Sequence, residues 1–148
     1  MRTEARIILL SLVLVRSVTA QDAALIRRGR EVYIAEGCIH CHSQYVRPGT
    51  ADEDRWGPAL PLPEIERQRP PLFGNRRQGP DLQNVGTRRT GEWQRLHLQA
   101  PRAVTPGSRM PSYAHLFGPG PANDGEALLA YLASLGTAAP PDQTEARR

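Results

Sequence analysis

The sequence contains no lysine: all nineteen basic residues are arginine, and against fifteen acidic residues they leave a formal charge of only +4. These arginines are scattered among Asp and Glu and are not run together with aromatics, so the footprint of a nucleic-acid binder is absent and no nucleic-acid partner is expected. Long apolar runs are lacking too. The longest, Ile7 to Val15, stops at Arg16, and crossing a bilayer takes roughly 20 apolar residues. Cysteine is limited to Cys38 and Cys41, methionine to the initiator and Met110, and histidine to four residues. A four-ligand zinc finger is therefore out of reach, since beyond the cysteine motif only His97 and His115 stand in the chain, at no finger spacing. No internal repeat and no convincing strand pattern is present.

What is present begins with an export signature. Arg2 and Arg6 precede the apolar run, and Ser17-Val18-Thr19-Ala20 offers a small-residue cleavage site. Residues 1–20 read as a signal peptide, with a short N-terminal anchor as the alternative, and the chain as exported to the periplasm. Residues 21–136 form one domain, and the Pro- and charge-rich segment 137–148 a mobile tail.

Leu25, Ile26, Gly29, Val32 and Tyr33 recur at helical spacing, which predicts an amphipathic helix over residues 22–36 that ends at Gly37. Trp93, Leu96 and Leu98 predict a short helix over 91–99, closed by Pro101. Asn123 is an N-cap with Glu126 three residues on, and Leu128, Leu129, Tyr131, Leu132 and Leu135 supply an apolar face before Gly136. Residues 47–80 are crowded with Pro, Gly and charge and read as a long extended loop wrapped around something.

The chemistry lies in Cys38-Ile39-His40-Cys41-His42, a C-x-x-C-H motif. Two thiols three residues apart on one helical turn can each add to a vinyl group on one edge of a haem, and the next residue then lies over the iron. This spacing predicts one haem c, bound covalently through Cys38 and Cys41, with His42 as an axial ligand. A six-coordinate electron carrier needs a second axial ligand. Met110, in a Pro- and Gly-flanked extended loop, is the candidate. A thiol redox site is the rival reading of the two cysteines, but it would require the C-x-x-C to open a helix after a strand. His40 reads as exposed; His97 and His115 are surface histidines or reserve ligands.

These residues resemble the class I cytochromes c. Gly79 through Gly91 is similar to that family's G-P-x-L stretch running into R-x-T-G, and Pro101 through Met110 to its N-P to P-G-T-K-M stretch, with Ala100 standing where Asn is usual. The resemblance implies a mostly α fold with helices packed around one covalent haem. It further implies that the Pro80 carbonyl accepts the His42 ring hydrogen, that Arg88 and Ser108 lie near a haem propionate, that Met110 is the sixth ligand, and that Gly29 and Tyr33 meet Tyr131 and Leu132 where the terminal helices cross.

A narrower likeness covers Gly29 to Tyr113. Gly29 through Cys38, Cys41-His42-Ser43-Gln44 with Arg47-Pro48, Glu92-Trp93, His97-Leu98, Pro101-Arg102 and Met110-Pro111-Ser112-Tyr113 resemble the mono-haem subunit II of cbb3-type cytochrome c oxidases. That family carries a membrane-spanning N-terminal helix where this sequence has a shorter, signal-like run. The resemblance implies an electron carrier rather than an enzyme, with redox partners such as a donor cytochrome or a haem-copper oxidase, and membrane association through an oxidase complex. A haem-based gas sensor or peroxidase-like enzyme with an open sixth site is the alternative.

Overall fold

The computed structural model describes residues 21–119 and 123–136. The expected signal peptide or anchor (1–20) and the expected tail (137–148) lie outside the described residues. Among the described residues the regular structure is helical, without a strand, and no helix is long and apolar enough to cross a membrane.

Helix α1 covers residues 21–35. It stops where Gly37 turns left-handed at φ 70°, a conformation that is open to glycine at no steric cost. Helix α7, Asp124–Ser134, starts where the Asn123 side chain accepts from the Glu126 amide at 3.1 Å. The expected reciprocal bond from Glu126 does not form. Its carboxylate instead meets the Arg95 guanidinium, with Nη2 to Oε2 at 2.6 Å, so the residue ties α7 to the helix Gly91–Gln99.

The two terminal helices cross at Gly29, as the class I resemblance implied. A β-carbon there would sit 1.9 Å from the Ala127 carbonyl oxygen and 2.7 Å from Tyr131 Cβ, so only glycine lets the backbones approach this closely. Tyr33 then meets Tyr131 edge to face, with ring centroids 5.7 Å apart. The crossing is the centre of a buried apolar cluster that contains Val32, Leu98, Leu128, Leu129 and Leu132 and extends to Leu72, Val85 and Cys38.

Residues 47–80 depart from the expected extended loop, because two short helices lie within them: α2 (Ala51–Trp56) and α3 (Leu62–Arg67). The polar and Pro-rich sequence works as capping chemistry here. Thr50 accepts from the Asp52 amide, Asp52, Glu53 and Asp54 stand at the positive end of α2, and Pro occupies the first turn of α3. Ile65, fully buried, anchors α3. Beyond them come α4 (Val85–Arg88), α5 (Gly91–Gln99), α6 (Pro101–Val104) and a 3-10 turn at Ala114–Phe117. Thr90 caps α5 by accepting from the Trp93 amide, and Pro101, expected to close that helix, opens α6 immediately after it.

Candidate haem-attachment site

Immediately after Gly37 the chain makes one tight 3-10 turn, Cys38–His40. The Cys38 carbonyl accepts from the Cys41 amide at 3.2 Å and from the His42 amide at 2.9 Å. These bonds put Cys38, Cys41 and His42 on a single turn. The two cysteines are not joined in a disulfide; Cys38 is buried and Cys41 half-buried. Burial, with the Glu36 carboxylate adding to it, pushes the Cys38 thiol up to about 12. The cysteines follow a helix on a 3-10 turn and do not open a helix after a strand, the setting the thiol redox rival requires.

His42 is half-buried, and a second segment holds its ring. Residues 77–83 run alongside 41–46: the Gly79 amide donates to the Cys41 carbonyl at 2.9 Å, and the Leu82 amide to the Ser43 carbonyl at 2.8 Å. Between these rungs stands Pro80, with its carbonyl oxygen 2.8 Å from His42 Nδ1. A carbonyl can only accept, so Nδ1 carries the proton and Nε2 is left as the lone-pair nitrogen. Burial lowers the imidazole's proton affinity, against the pull of the Pro80 carbonyl and of Asp81. The ring is therefore neutral at neutral pH, which is the form that can bind a metal. Gly79 packs flat on it: a β-carbon there would come within 2.2 Å of His42 Cε1.

Met110 is half-buried and packs against the apolar cluster that contains Cys38. Its loop is folded back on α5. The Tyr113 amide donates to the Leu98 carbonyl at 2.8 Å, the Ser112 hydroxyl to the Gln99 carbonyl at 2.6 Å, and the Met110 amide to the Ser108 hydroxyl at 3.2 Å. Met110 also lines a cavity of about 300 Å³ with Ala100, Pro101, Ala103 and Pro111.

Arg88 is held by Asp81, whose main-chain carbonyl accepts from Nη2, while its Nε is buried without a partner. Ser108 is engaged with its own loop, with the hydroxyl on Met110 and the carbonyl accepting from Arg102 Nε at 3.3 Å. Thus Cys38, Cys41, His42 and Pro80 are brought together directly. Arg88 joins them through Asp81, and Ser108 stays with Met110. Of the remaining histidines, His40 is exposed and lies 3.3 Å from the Asn75 amide. His115 is exposed and faces Glu36 at 3.2 Å. His97 stacks on Trp93 at 4.6 Å, with burial, and then the neighbouring His42, lowering its proton affinity.

Sequence reasoning missed the polar seam behind His42. Asp81 and Ser43 are fully buried there, Asp52 nearly so, and Arg77 bridges all three. Only its membership of the Gly79-Pro80-Asp81-Leu82 stretch pointed to Asp81.

No curated protein matches this chain significantly. The family model described as the mono-haem subunit of cytochrome c oxidase, FixO, matches residues 11–123. With a C-x-x-C-H turn whose histidine is held by a proline carbonyl, and a match over well more than half its length, the chain belongs to the FixO family of cbb3-type oxidase mono-haem subunits.

Proposed function

We propose that this chain is a one-electron relay that holds one haem c through Cys38 and Cys41, with His42 and Met110 as axial ligands, and passes electrons from a donor cytochrome toward the haem-copper subunit of a cbb3-type oxidase. The observation that carries this reading is the His42 ring, placed on the same turn as both thiols with its Nδ1 proton committed to Pro80 and its Nε2 free. Two further features fit the group. The Arg88 Nε is a buried donor that lacks an acceptor, as a propionate site requires. The Met110 thioether is half-buried against the cluster that contains Cys38.

Haem c, when bound, supplies a ferric/ferrous couple and no bond-making chemistry at the protein. The chain's own residues do the rest. Pro80 holds the proton at Nδ1, and Gly79 leaves room for the ring to lie against the backbone. Leu98 and Leu116 keep water from the interior. Arg102 and Arg109, both exposed, favour an acidic docking surface, with association rates that fall as salt rises. Residues 1–20 direct export and are cleaved after Ala20, which leaves a periplasmic domain that reaches its oxidase by docking, because Arg16 at mid-membrane would cost about 2.5–3.5 kcal/mol.

The test is to produce the full-length chain alongside haem-attachment machinery. We expect the mature chain to gain the haem mass, to retain it on a denaturing gel, and to lose it in the Cys38→Ala, Cys41→Ala double variant. Met110→His should keep a six-coordinate iron at a lower reduction potential, since imidazole favours the ferric state over thioether. An unchanged potential would exclude Met110 as the ligand, and rapid carbon monoxide binding by the reduced parent would favour an open-site sensor or peroxidase. A mature chain that starts at Met1 and is released only by detergent would establish an anchored subunit instead.

A further inference from the structure

Pro80 has no N–H, so it cannot fix its own place in the pairing of residues 77–83 with 41–46. Its carbonyl is aimed by its neighbours. On one side stands the Gly79 rung. On the other is Asp81, fully buried, whose carboxylate grips the segment just beyond His42: Oδ2 accepts from the Ser43 hydroxyl at 2.5 Å and from the Tyr45 amide at 2.9 Å, and Oδ1 from the Gln83 amide at 2.8 Å. The bonds His42 to Pro80 and Ser43 to Asp81 are thus consecutive rungs between the same two segments.

The countercharge stands on the far side. Arg77 Nη2 lies 3.4 Å from Asp81 Oδ2 and 2.9 Å from Asp52 Oδ2, its Nε donates to the Ser43 hydroxyl at 2.8 Å, and its guanidinium covers the Trp56 ring at 5.1 Å. To reach these partners Arg77 adopts φ +46°, a left-handed conformation that a branched network must hold in an ordinary residue. Asp52 is itself forked by Arg47 at 2.7 and 2.9 Å. Arg77 is a quarter exposed while Asp81 is wholly enclosed, so a buried carboxylate stands one residue from the group that holds the His42 proton, with its guanidinium partner 3.4 Å away on the more exposed side. Arg88 touches Asp81 only at its main-chain carbonyl.

We propose that Asp81 is a positioning residue for His42: by fixing the Pro80 carbonyl on the imidazole and placing a buried carboxylate behind it, Asp81 lowers the reduction potential of the iron that His42 ligates, while Arg77 sets how much of that charge is felt. The inference rests on the proposed haem ligation. A hydrogen-bonded Nδ1 makes the imidazole a stronger donor, and a nearby negative charge favours the more positive ferric iron, so both effects act in the same direction.

The test uses the full-length haem-loaded protein and its Asp81→Asn and Arg77→Gln variants, each measured for midpoint potential by redox titration and for exchange of the His42 Nδ1 proton by NMR. Asp81→Asn should raise the potential and speed exchange. Arg77→Gln should lower the potential, because it strips the countercharge and leaves the carboxylate in place. General loosening of the seam would move both variants the same way, so opposite signs are the signature. A potential that is unchanged or lowered in Asp81→Asn, or unchanged or raised in Arg77→Gln, overturns the proposal. If Asp81→Asn does not fold, the sign for Arg77→Gln decides alone. A parent chain that takes up no haem sinks the functional reading and this proposal with it, whereas a loaded parent whose variants do not separate sinks this proposal only.

Discussion

The crossing of α1 and α7 and the seam between residues 41–47 and 77–83 both bring distant parts of the chain into close contact, but by opposite physics. The crossing is mostly apolar: Gly29 removes a side chain, and Tyr33, Leu128, Leu132 and Tyr131 fill the space, with the Tyr131 hydroxyl donating to Gln44 at 2.7 Å. At the seam almost every contact is polar, with Asp81, Ser43, Gln83 and Asp52 buried among backbone amides and two arginines. The apolar contact tolerates salt and acid and fails when volume is added. The polar one tolerates small changes of volume and fails when a donor or a charge is removed.

The crossing is the most sensitive point in the fold. Gly29→Leu drives a side chain into the Ala127 carbonyl, and overpacking on that scale should cost about 3 kcal/mol, read from the denaturant midpoint of the haem-loaded protein. A loss of under about 1 kcal/mol would mean that the helices slide apart without penalty, and that the crossing is not the rigid element described.

Ser43→Ala addresses the seam with a smaller effect. It removes one donor to the Asp81 carboxylate and one acceptor of Arg77, for an expected loss of about 1–2 kcal/mol. High salt should leave this loss intact, because a fully buried site is poorly screened.

Acid separates the two regions without comparable damage. Asp52, clasped by Arg47 and Arg77, is held well below the ordinary carboxylate range. In acid the unfolded chain takes up this proton before the folded one does. Asp52 therefore contributes its full stability above the ordinary value of 3.8 and loses it as pH falls toward its depressed folded value. Glu126, bound to Arg95, is shifted in the same direction. Stability measured against pH should fall below about pH 4, and Asp52→Asn should flatten that fall, whereas Gly29→Leu should shift the curve without changing its slope.

The smallest effect is expected at the rim of the crossing. Arg28 pairs with Asp124 at 2.9 Å, but its side chain is half exposed, and exposed pairs contribute little. Arg28→Ala should leave the denaturant midpoint unchanged in high salt. A clear loss there would show that charge, not packing alone, holds the terminal helices together.

The same contrast explains what was legible in the sequence. Helices α1, α5 and α7 were readable because their apolar residues recur at one period and their ends carry Gly37, Pro101 and Asn123. The attachment turn was readable because Cys38, Cys41 and His42 are local. Helices α2 and α3 were not, because Thr50, Asp52 and Pro63 read as loop chemistry until they are seen capping turns only six residues long. Nor was the seam. Ser43 and Asp81 lie 38 residues apart, and a serine or aspartate gives no local sign that tertiary pairing will bury it. Glu126 shows a milder form of this failure, since its spacing from Asn123 suggested a cap while Arg95, distant in sequence, claimed the side chain.

The enclosure of Cys38 bears on when the proposed haem attachment can take place. Cys38 is only 8% exposed and is packed in the cluster with Leu72, Val85 and Leu116, and burial raises its thiol's pKa. In the folded chain the thiol is thus packed inside the apolar cluster. The Cys38 to His42 turn, by contrast, uses hydrogen bonds that span no more than four residues, so it can be recognised in a chain that has not yet folded. The proposed haem attachment is therefore expected before folding encloses Cys38, with Pro80 and Met110, which follow later in the chain, packing in afterwards.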